Sequence, residues 1–278
     1  MMKKTKSKMT EQDYRSDPAI SRSELWRMHD SPEKFKWFKD HPTPPTPALL
    51  FGQVAHKLLL EPDTFDQEFV VAPLVDKRTK IGKEAWQAFL DSVDGRSVVG
   101  RDDYDKALAM ATKAKSEPLV AALLAGDHEV PFFWTDEDTG ERCKCRPDAI
   151  RQTDDGYVIA DYKTTASAKT EAFVRSFWQH GYHLQAAMYS TGVQTALGLD
   201  YRPSFVFIAQ EKTEPYAVNV LTVPDDVMLA GYDTFREYLG VYHQCKETDY
   251  WYGYSGPFGE TNEITIPGWA MTNIESEE

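Results

Sequence analysis

Two carboxylates and an ammonium near the middle of the chain have the types and spacing to do chemistry. Asp148 follows Pro147 in the strand-like segment "ERCKCRPDAI", and Asp161 and Lys163 lie in the next one, "GYVIADYK". Side chains alternate along an extended chain, so Asp161 and Lys163 project from one face, about 7 Å apart at their Cα atoms. The turn-rich "RQTDDG" between the segments predicts a hairpin, which brings Asp148 to the same sheet edge as Asp161. Two carboxylates beside a lysine suit a hard divalent cation. Mg²⁺ takes oxygen ligands, uses one or two carboxylates, and leaves positions for water and phosphate oxygens. A surface ion pair between Asp161 and Lys163, worth little in stability, is the competing role, and on these three residues alone it ranks slightly ahead.

Further residues bear on that ranking. Glu129, in "HEVPFFW", can bring a third carboxylate to the edge, although a Glu beside a turn is more often only solvated. His56, in "GQVAH", lies four residues after Gly52, which on a helix sets an imidazole next to a position without a side chain. A lone His on an apolar helix is more often part of the core. Gln185 and Tyr189, in "HLQAAMY", share a helix face at i and i+4, as a functional amide and phenol or as a polar boundary. Lys77, Arg78, Lys80 and Lys83 cluster in "DKRTKIGK". Phosphate-backbone contacts, which position nucleic acid without reading its sequence, and a solvated loop account for them equally well.

The elements that must position these residues follow from the pattern. Ser21 and Glu24 stand at capping-box spacing, which predicts a helix start with Leu25, Trp26 and Met28 buried. A second short helix follows Ser31–Pro32. "HPTPPTP", 41 to 47, is an extended linker, and "ALLFGQVAHKLLLEP" is a helix. "DKRTKIGKEAWQAFLDSV" is a basic loop entering an amphipathic helix, and "RDDYDKALAMATKAKSEPLVAALLAG" is one or two more. Three strands then form a meander through "HEVPFFW", "ERCKCRPDAI" and "GYVIADYK". Helices over 169–180 and 183–197, the strands "PSFVFIA" and "YAVNVLTV", and a helix over 224–246 complete the order. This predicts an α/β protein: a single domain with a central mixed β-sheet flanked by helices and a helical N-terminal portion. Its expected parts are a flexible basic arm at 1–19, a domain at 20–270 (helical front 20–126, α/β core 127–246, aromatic C-terminal loop 247–270) and an acidic tail at 271–278.

Composition limits the function classes. The 278 residues are 41% hydrophobic and 13% aromatic, enough for a sizeable core. The net charge is −13, but residues 1 to 83 hold 15 Lys/Arg against 12 Asp/Glu and the remainder 16 against 32. A polyanion can therefore be gripped by the first third while carboxylates elsewhere hold cations, although a solvated acidic surface explains most of the excess. The lysine-rich start lacks an apolar stretch and does not resemble a signal peptide. No apolar run is long enough for a bilayer. Three cysteines, an odd number, fit a reducing cytoplasm better than a disulfide framework. Cys143 and Cys145 as C-x-C are a weak metal signal.

The order P-D, thirteen residues, D-x-K, then a Q-x-x-x-Y helix, all preceded by a G-x-x-x-H helix, resembles the PD-(D/E)xK nuclease superfamily in its RecB-like branch. Over about residues 20 to 190 the segments "SRSEL", "DSPEKF", "LLFGQVAHKLLLEP", "KRTKIGKEAW", "CRPDAI", "ADYKTT" and "QAAMY" look like the exonuclease VIII (RecE-type) phage and prophage family. The resemblance implies a restriction-endonuclease-like core in which His56, Asp148 and Asp161 bind metal, with Glu129 a less firmly placed member. Lys163 then stands beside the attacking water, and Gln185 and Tyr189 position the strand or the lysine. It implies Mg²⁺, with Mn²⁺ as a substitute, and 5′-to-3′ digestion of double-stranded DNA ends to leave 3′ tails for recombination. It further implies a single-strand annealing partner and a homo-oligomeric ring, a tetramer favoured, in the cytoplasm of a bacterial host. Tyr250, Trp251, Tyr252, Tyr254 and Phe258 are candidates for the subunit contact or for packing within one chain. Some RecB-like relatives carry a cysteine of an iron–sulfur cluster where this chain has Ser31, and three cysteines cannot supply four thiolates; no cluster is expected. A structure-specific endonuclease and a non-catalytic DNA-binding module are the alternatives, and no acidic or lysine position of the motif is lost to favour the second.

Overall fold

The computed structural model describes residues 9–266. The first eight residues of the expected basic arm, the end of the aromatic loop beyond 266 and the acidic tail at 271–278 lie outside the described residues. The rest of the arm is a correction to expectation, because residues 10–17 are folded. α1 (Glu11–Ser16) starts at a reciprocal Thr10–Asp13 capping box, which satisfies its free amides. Lys144, 3% exposed, donates to the carbonyls of Tyr14 and Asp17 at 2.8 Å each, and Arg146 pairs with Glu11. The lysines of the arm all precede residue 9, whereas residues 10–17 carry the cap and the acidic partners that hold them to the fold.

β1 (Ile20–Ser21) leads into α2 (Arg22–Leu25), where Ser21 and Glu24 form the predicted capping box. α3 (Pro32–Asp40) and α4 (Pro47–Leu60) each begin with Pro at the first turn and a Ser or Thr cap. After α5 (Phe65–Glu68), a small parallel pair not foreseen from the pattern joins β2 (Phe69–Val71) to β3 (Ser97–Val99) across α6 (Lys80–Asp91). α7 (Arg101–Ser116) and α8 (Pro118–Leu123) are two helices because Pro118 cannot continue the first.

The expected meander is not one sheet. Its segments break into β4 (Asp127–His128), β5 (Phe132–Thr135), β6 (Arg142–Cys145), β7 (Ala149–Thr153) and β8 (Gly156–Thr165). Pro131 and Pro147 fall at the breaks, where a residue without N–H cannot extend the ladder, and Glu129 takes φ 51°. β1, β6 and β5 form a three-stranded sheet in that order, with β6 between the other two. The central sheet has the order β10-β9-β8-β7-β4, with β9 (Ser204–Glu211) and β10 (Val218–Thr222) supplied after α9 (Thr170–Gln179) and α10 (Tyr182–Leu197). β8 and β9 are parallel, as the α9–α10 crossover requires, and the other pairs are antiparallel. The sheet is mixed, and the chain is a single α/β domain.

β8 is buried on both faces, which explains its continuous apolar run. Ile159 faces a core with Phe173, Leu184, Phe207 and Phe235. Ala160 and Tyr162 face Val54, Leu58, Ala107 and Ala111. One layer therefore holds α9, α10 and α11 (Asp225–Thr248), and the other holds α4 and α7. Cys143 and Cys145 are free and buried in the first core. Among the described residues no helix is long and apolar enough to cross a membrane.

α10 and α11 approach closely at Gly231, where a Cβ would sit 2.2 Å from the His183 carbonyl oxygen. Gly231→Ala is expected to lower the free energy of urea unfolding by about 1–3 kcal/mol, the usual cost of overpacking. In an open helix the same change stabilises by up to about 1 kcal/mol, so the sign of the measured difference decides whether this contact is real.

Candidate active site

The site forms where β7 begins, β8 nears its end, and both helical layers meet the sheet. The last β7–β8 pair is Ala149 with Ala160, so Asp148 stands one step beyond the ladder, beside Asp161. Freed from pairing, its carboxylate turns back onto the central strand and accepts the Tyr162 N–H at Oδ2, 2.6 Å away. His56 of α4 brings Nδ1 to 3.3 Å from the same oxygen. The imidazole meets the Tyr162 ring edge-on at 5.1 Å, and Tyr162 is itself fixed by donating its hydroxyl hydrogen to Gln210 at 2.6 Å. Gly52, one turn before His56, has ordinary clearance from Thr164 at 3.9 Å, so nothing there demands glycine.

Glu129 follows β4 in the left-handed region, and its N–H donates to the Asp148 carbonyl at 3.3 Å. Its carboxylate is 2.7 Å from Arg146 Nε, and the same guanidinium pairs with Glu11. Ligand atoms of His56, Glu129 and Asp148 all lie within 4.8 Å of one another. Asp161, 1% exposed, stands outside that trio. It is ion-paired with Lys163 and accepts a hydrogen bond at Oδ2 from Gln185 Nε2. Gln185 thus positions the aspartate, where sequence pattern offered the strand or the lysine. Lys163 Nζ also lies 4.9 Å from the centre of the Tyr182 ring.

Charges this close reshape one another. Burial raises the Asp161 carboxyl to about 6, with Asp148 adding to the rise and Lys163 opposing it. Burial pushes Glu129 up to about 8, helped by Asp148 and resisted by Arg146. Asp148 goes the other way, because His56, Lys163 and the Tyr162 N–H outweigh its own desolvation. Burial would depress His56, but Asp148 holds it above its ordinary value. Lys163 is likewise kept high by Asp161 against its burial. Each carboxylate therefore leans on a cation of the chain.

The remaining predicted residues divide. Tyr189 lies one turn beyond Gln185 with its ring against Phe205. Burial keeps its phenol neutral, with Tyr14, Asp161, Cys145 and Asp148 adding to the effect. Lys77, Arg78, Lys80 and Lys83 are exposed, in and just before the first turn of α6. Lys77 covers the Trp86 ring at 3.1 Å, Arg78 pairs with Asp76 at 3.0 Å, and Lys80 is 3.9 Å from Glu84. Pattern reasoning missed Arg146 and Tyr182. Arg146 precedes Pro147–Asp148 directly, and a charge at a strand break beside a motif carboxylate was the available signal.

These residues fit a divalent cation. The trio offers one imidazole and two carboxylates, a donor set that hard and borderline cations accept. Asp161, buried beside the trio, has its two oxygens on Lys163 and Gln185, so it can join the site only at its margin.

A raised carboxyl favours its neutral form in the fold, so its stability contribution is present below its ordinary value and is lost as pH rises through the folded value. Without metal, melting temperature should fall between about pH 4.5 and 8, where the unfolded chain ionises this carboxyl and the fold keeps it protonated. Glu129→Gln should flatten that fall and weaken Mn²⁺ binding measured by calorimetry. Parallel melting curves for the two proteins across this range would remove Glu129 from the site.

Residues 21–259 match the family described as "PDDEXK-like domain of unknown function (DUF3799)". None of the curated proteins matches the chain significantly. Among solved structures it is similar to a crystal structure named "Putative exonuclease" from Eubacterium rectale, with TM-score 0.62 and 14% identity over 99% of this chain and 98% of that one. At that identity the likeness speaks for the fold alone. A structure named SSO0001 covers 68% of this chain and 85% of its own at 13% identity and TM-score 0.30, too distant to weigh. The family match includes His56, Glu129, Asp148, Asp161, Lys163 and Gln185. This chain belongs to the PDDEXK-like family, and its α/β domain has the fold of the PD-(D/E)xK nucleases.

Proposed function

We propose that this protein is a divalent-metal-dependent nuclease that digests linear double-stranded DNA from 5′ ends and leaves 3′ single-stranded tails. The observation that carries the hydrolytic part is the convergence of His56, Glu129 and Asp148 within 4.8 Å of one another, next to a buried Asp161–Lys163 pair. The direction and the product are supported only by the likeness of the motif segments to RecE-type exonucleases.

The trio, with Asp161 at its margin, would hold Mg²⁺ or Mn²⁺, which lowers the pKa of a water and polarises a phosphate. The chain's own residues do the rest. Gln185 fixes Asp161, and Asp161 fixes Lys163, so the ammonium is held in place before substrate arrives. A preorganised cation of this kind stabilises charge that develops on a phosphate in the transition state. Arg146 restrains Glu129 from one side and is restrained by Glu11 from the other.

A closed ring, tetrameric by the same resemblance, and a single-strand annealing partner belong to this proposal. Support for the ring comes from the charge asymmetry: a chain at −13 repels phosphate except where cations gather. Trp251 stacks on Phe35 at 5.4 Å and Lys34 covers the Tyr254 ring at 5.2 Å within the chain, whereas Phe258 is 87% exposed and open to a second copy.

Asp161→Ala should abolish hydrolysis and leave duplex binding in Ca²⁺ largely intact; full activity in excess EDTA would sink the metal dependence. Lys163→Ala should cost on the order of 10²–10³ in rate with little change in Mn²⁺ affinity, and an unchanged rate would return Lys163 to a structural ion pair. Linear duplexes labelled at the 5′ or the 3′ end, digested beside a closed circle, test the polarity. Early release of the 5′ label with an intact circle is expected, and cutting of the circle would favour an endonuclease.

A further inference from the structure

Arg22, the first residue of α2, is a cation without a counter-ion. Its Nη2 donates to the His180 carbonyl in the turn between α9 and α10. Its guanidinium lies 5.9 Å from the centre of the Trp26 ring and 5.7 Å from that of Tyr182. Nε is sealed from solvent and has no acceptor. Among the described residues no carboxylate comes within ion-pair distance, and the near candidates are occupied. Glu24 is taken by the Ser21 cap and faces Lys39 at 3.7 Å, and Asp161 is taken by Lys163 and Gln185. Desolvation is the largest influence on the group. A half-buried guanidinium that lacks an anion is costly, in a chain that carries 44 acidic residues.

The side chain is also held rigidly. The Trp26 ring packs over Gly181, where a Cβ would come within 2.2 Å of a ring carbon and φ is 64°; this locks α2 to the turn that carries His180. Tyr182 is the ring that Lys163 Nζ approaches at 4.9 Å. Arg22 and Lys163 thus border one phenol ring, a separation that a nucleic-acid strand spans in a step or two of its backbone.

We propose that Arg22 is a substrate-contact residue whose guanidinium takes the oxygens of a non-scissile phosphodiester next to the one at Lys163. The missing counter-ion is supplied by the strand at the Nη1–Nη2 end of the guanidinium, since Nε is sealed, and the hydrogens left there after the His180 contact can take two phosphate oxygens. This rests on the nuclease reading above. Because the contact is to backbone, it adds affinity and register without base preference.

The test uses the full chain, Arg22→Met, and Arg22→Gln as a second variant that keeps a donor for His180, with circular dichroism and melting temperature to confirm folding. Duplex binding in Ca²⁺ should weaken about ten- to a hundredfold, and the slope of log affinity against log salt should drop by about one. Duplexes that each carry one neutral methylphosphonate should show a position that weakens wild-type binding and is silent in Arg22→Met. If every position costs the variant as much as the wild type, Arg22 contacts no phosphate and the proposal fails. If the wild type neither binds nor cuts DNA, the nuclease reading falls, and inorganic phosphate decides for Arg22. A melting-temperature rise confined to the wild type supports an anion site there, and an equal rise in both removes it.

Discussion

One carboxylate oxygen, Asp148 Oδ2, ties the central sheet to the helical layer that holds α4. It accepts the N–H of Tyr162 on the central strand at 2.6 Å and faces His56 of α4 at 3.3 Å, while the ladder that would otherwise occupy that N–H has ended at Ala149. Pro147 makes this possible: it stops β6 from running on into β7 and sends the two into different sheets. A strand that continued through residue 147 would have placed Asp148 in a regular pair with its side chain normal to the sheet. The break instead lets the carboxylate fold back along the edge, where His56 of α4 reaches it.

The same compactness creates electrostatic strain. Glu129, Asp148 and Asp161 are gathered into a largely water-free space, and that costs stability unless cations attend them. The chain answers with one cation for each: Arg146 at Glu129, His56 at Asp148 and Lys163 at Asp161. On the metal reading two of these arrangements would yield, since His56 would have to be neutral to ligate and Glu129 ionised. The Asp161–Lys163 pair, with its other oxygen held by Gln185, would persist.

How much of this was legible in the sequence depended on the range of the interaction. Capping at Ser21–Glu24, the helix over Gln185 and Tyr189, and the register that sets Asp148 beside Asp161 are local, and the residue pattern predicts them. The division of the meander into two sheets was not legible, although Pro131 and Pro147 stood in plain view, because prolines end a ladder without saying where the chain goes next. The packing of residues 10–17 was hidden as well. It depends on Lys144 and Arg146, more than a hundred residues away. Gln185 was found, but its partner was not, since a helix face gives the direction of a side chain and not what waits opposite.

The cations around the site also bear on how an acidic chain engages DNA. Lys163 and Arg146 are committed to carboxylates, and Lys77, Arg78 and Lys80 have a ring or an acid beside them. Cations buried against carboxylates, as Lys163 and Arg146 are, release few counterions on binding and so add little affinity; the exposed Lys77, Arg78 and Lys80 keep more of theirs. On the nuclease reading, a single chain would then hold a duplex weakly, through a few uncommitted groups and a metal at the cleavage point. Weak holding suits a processive enzyme only if the strand cannot diffuse away between steps. Enclosure by several copies around a common axis, as proposed above, would supply the retention that such contacts do not.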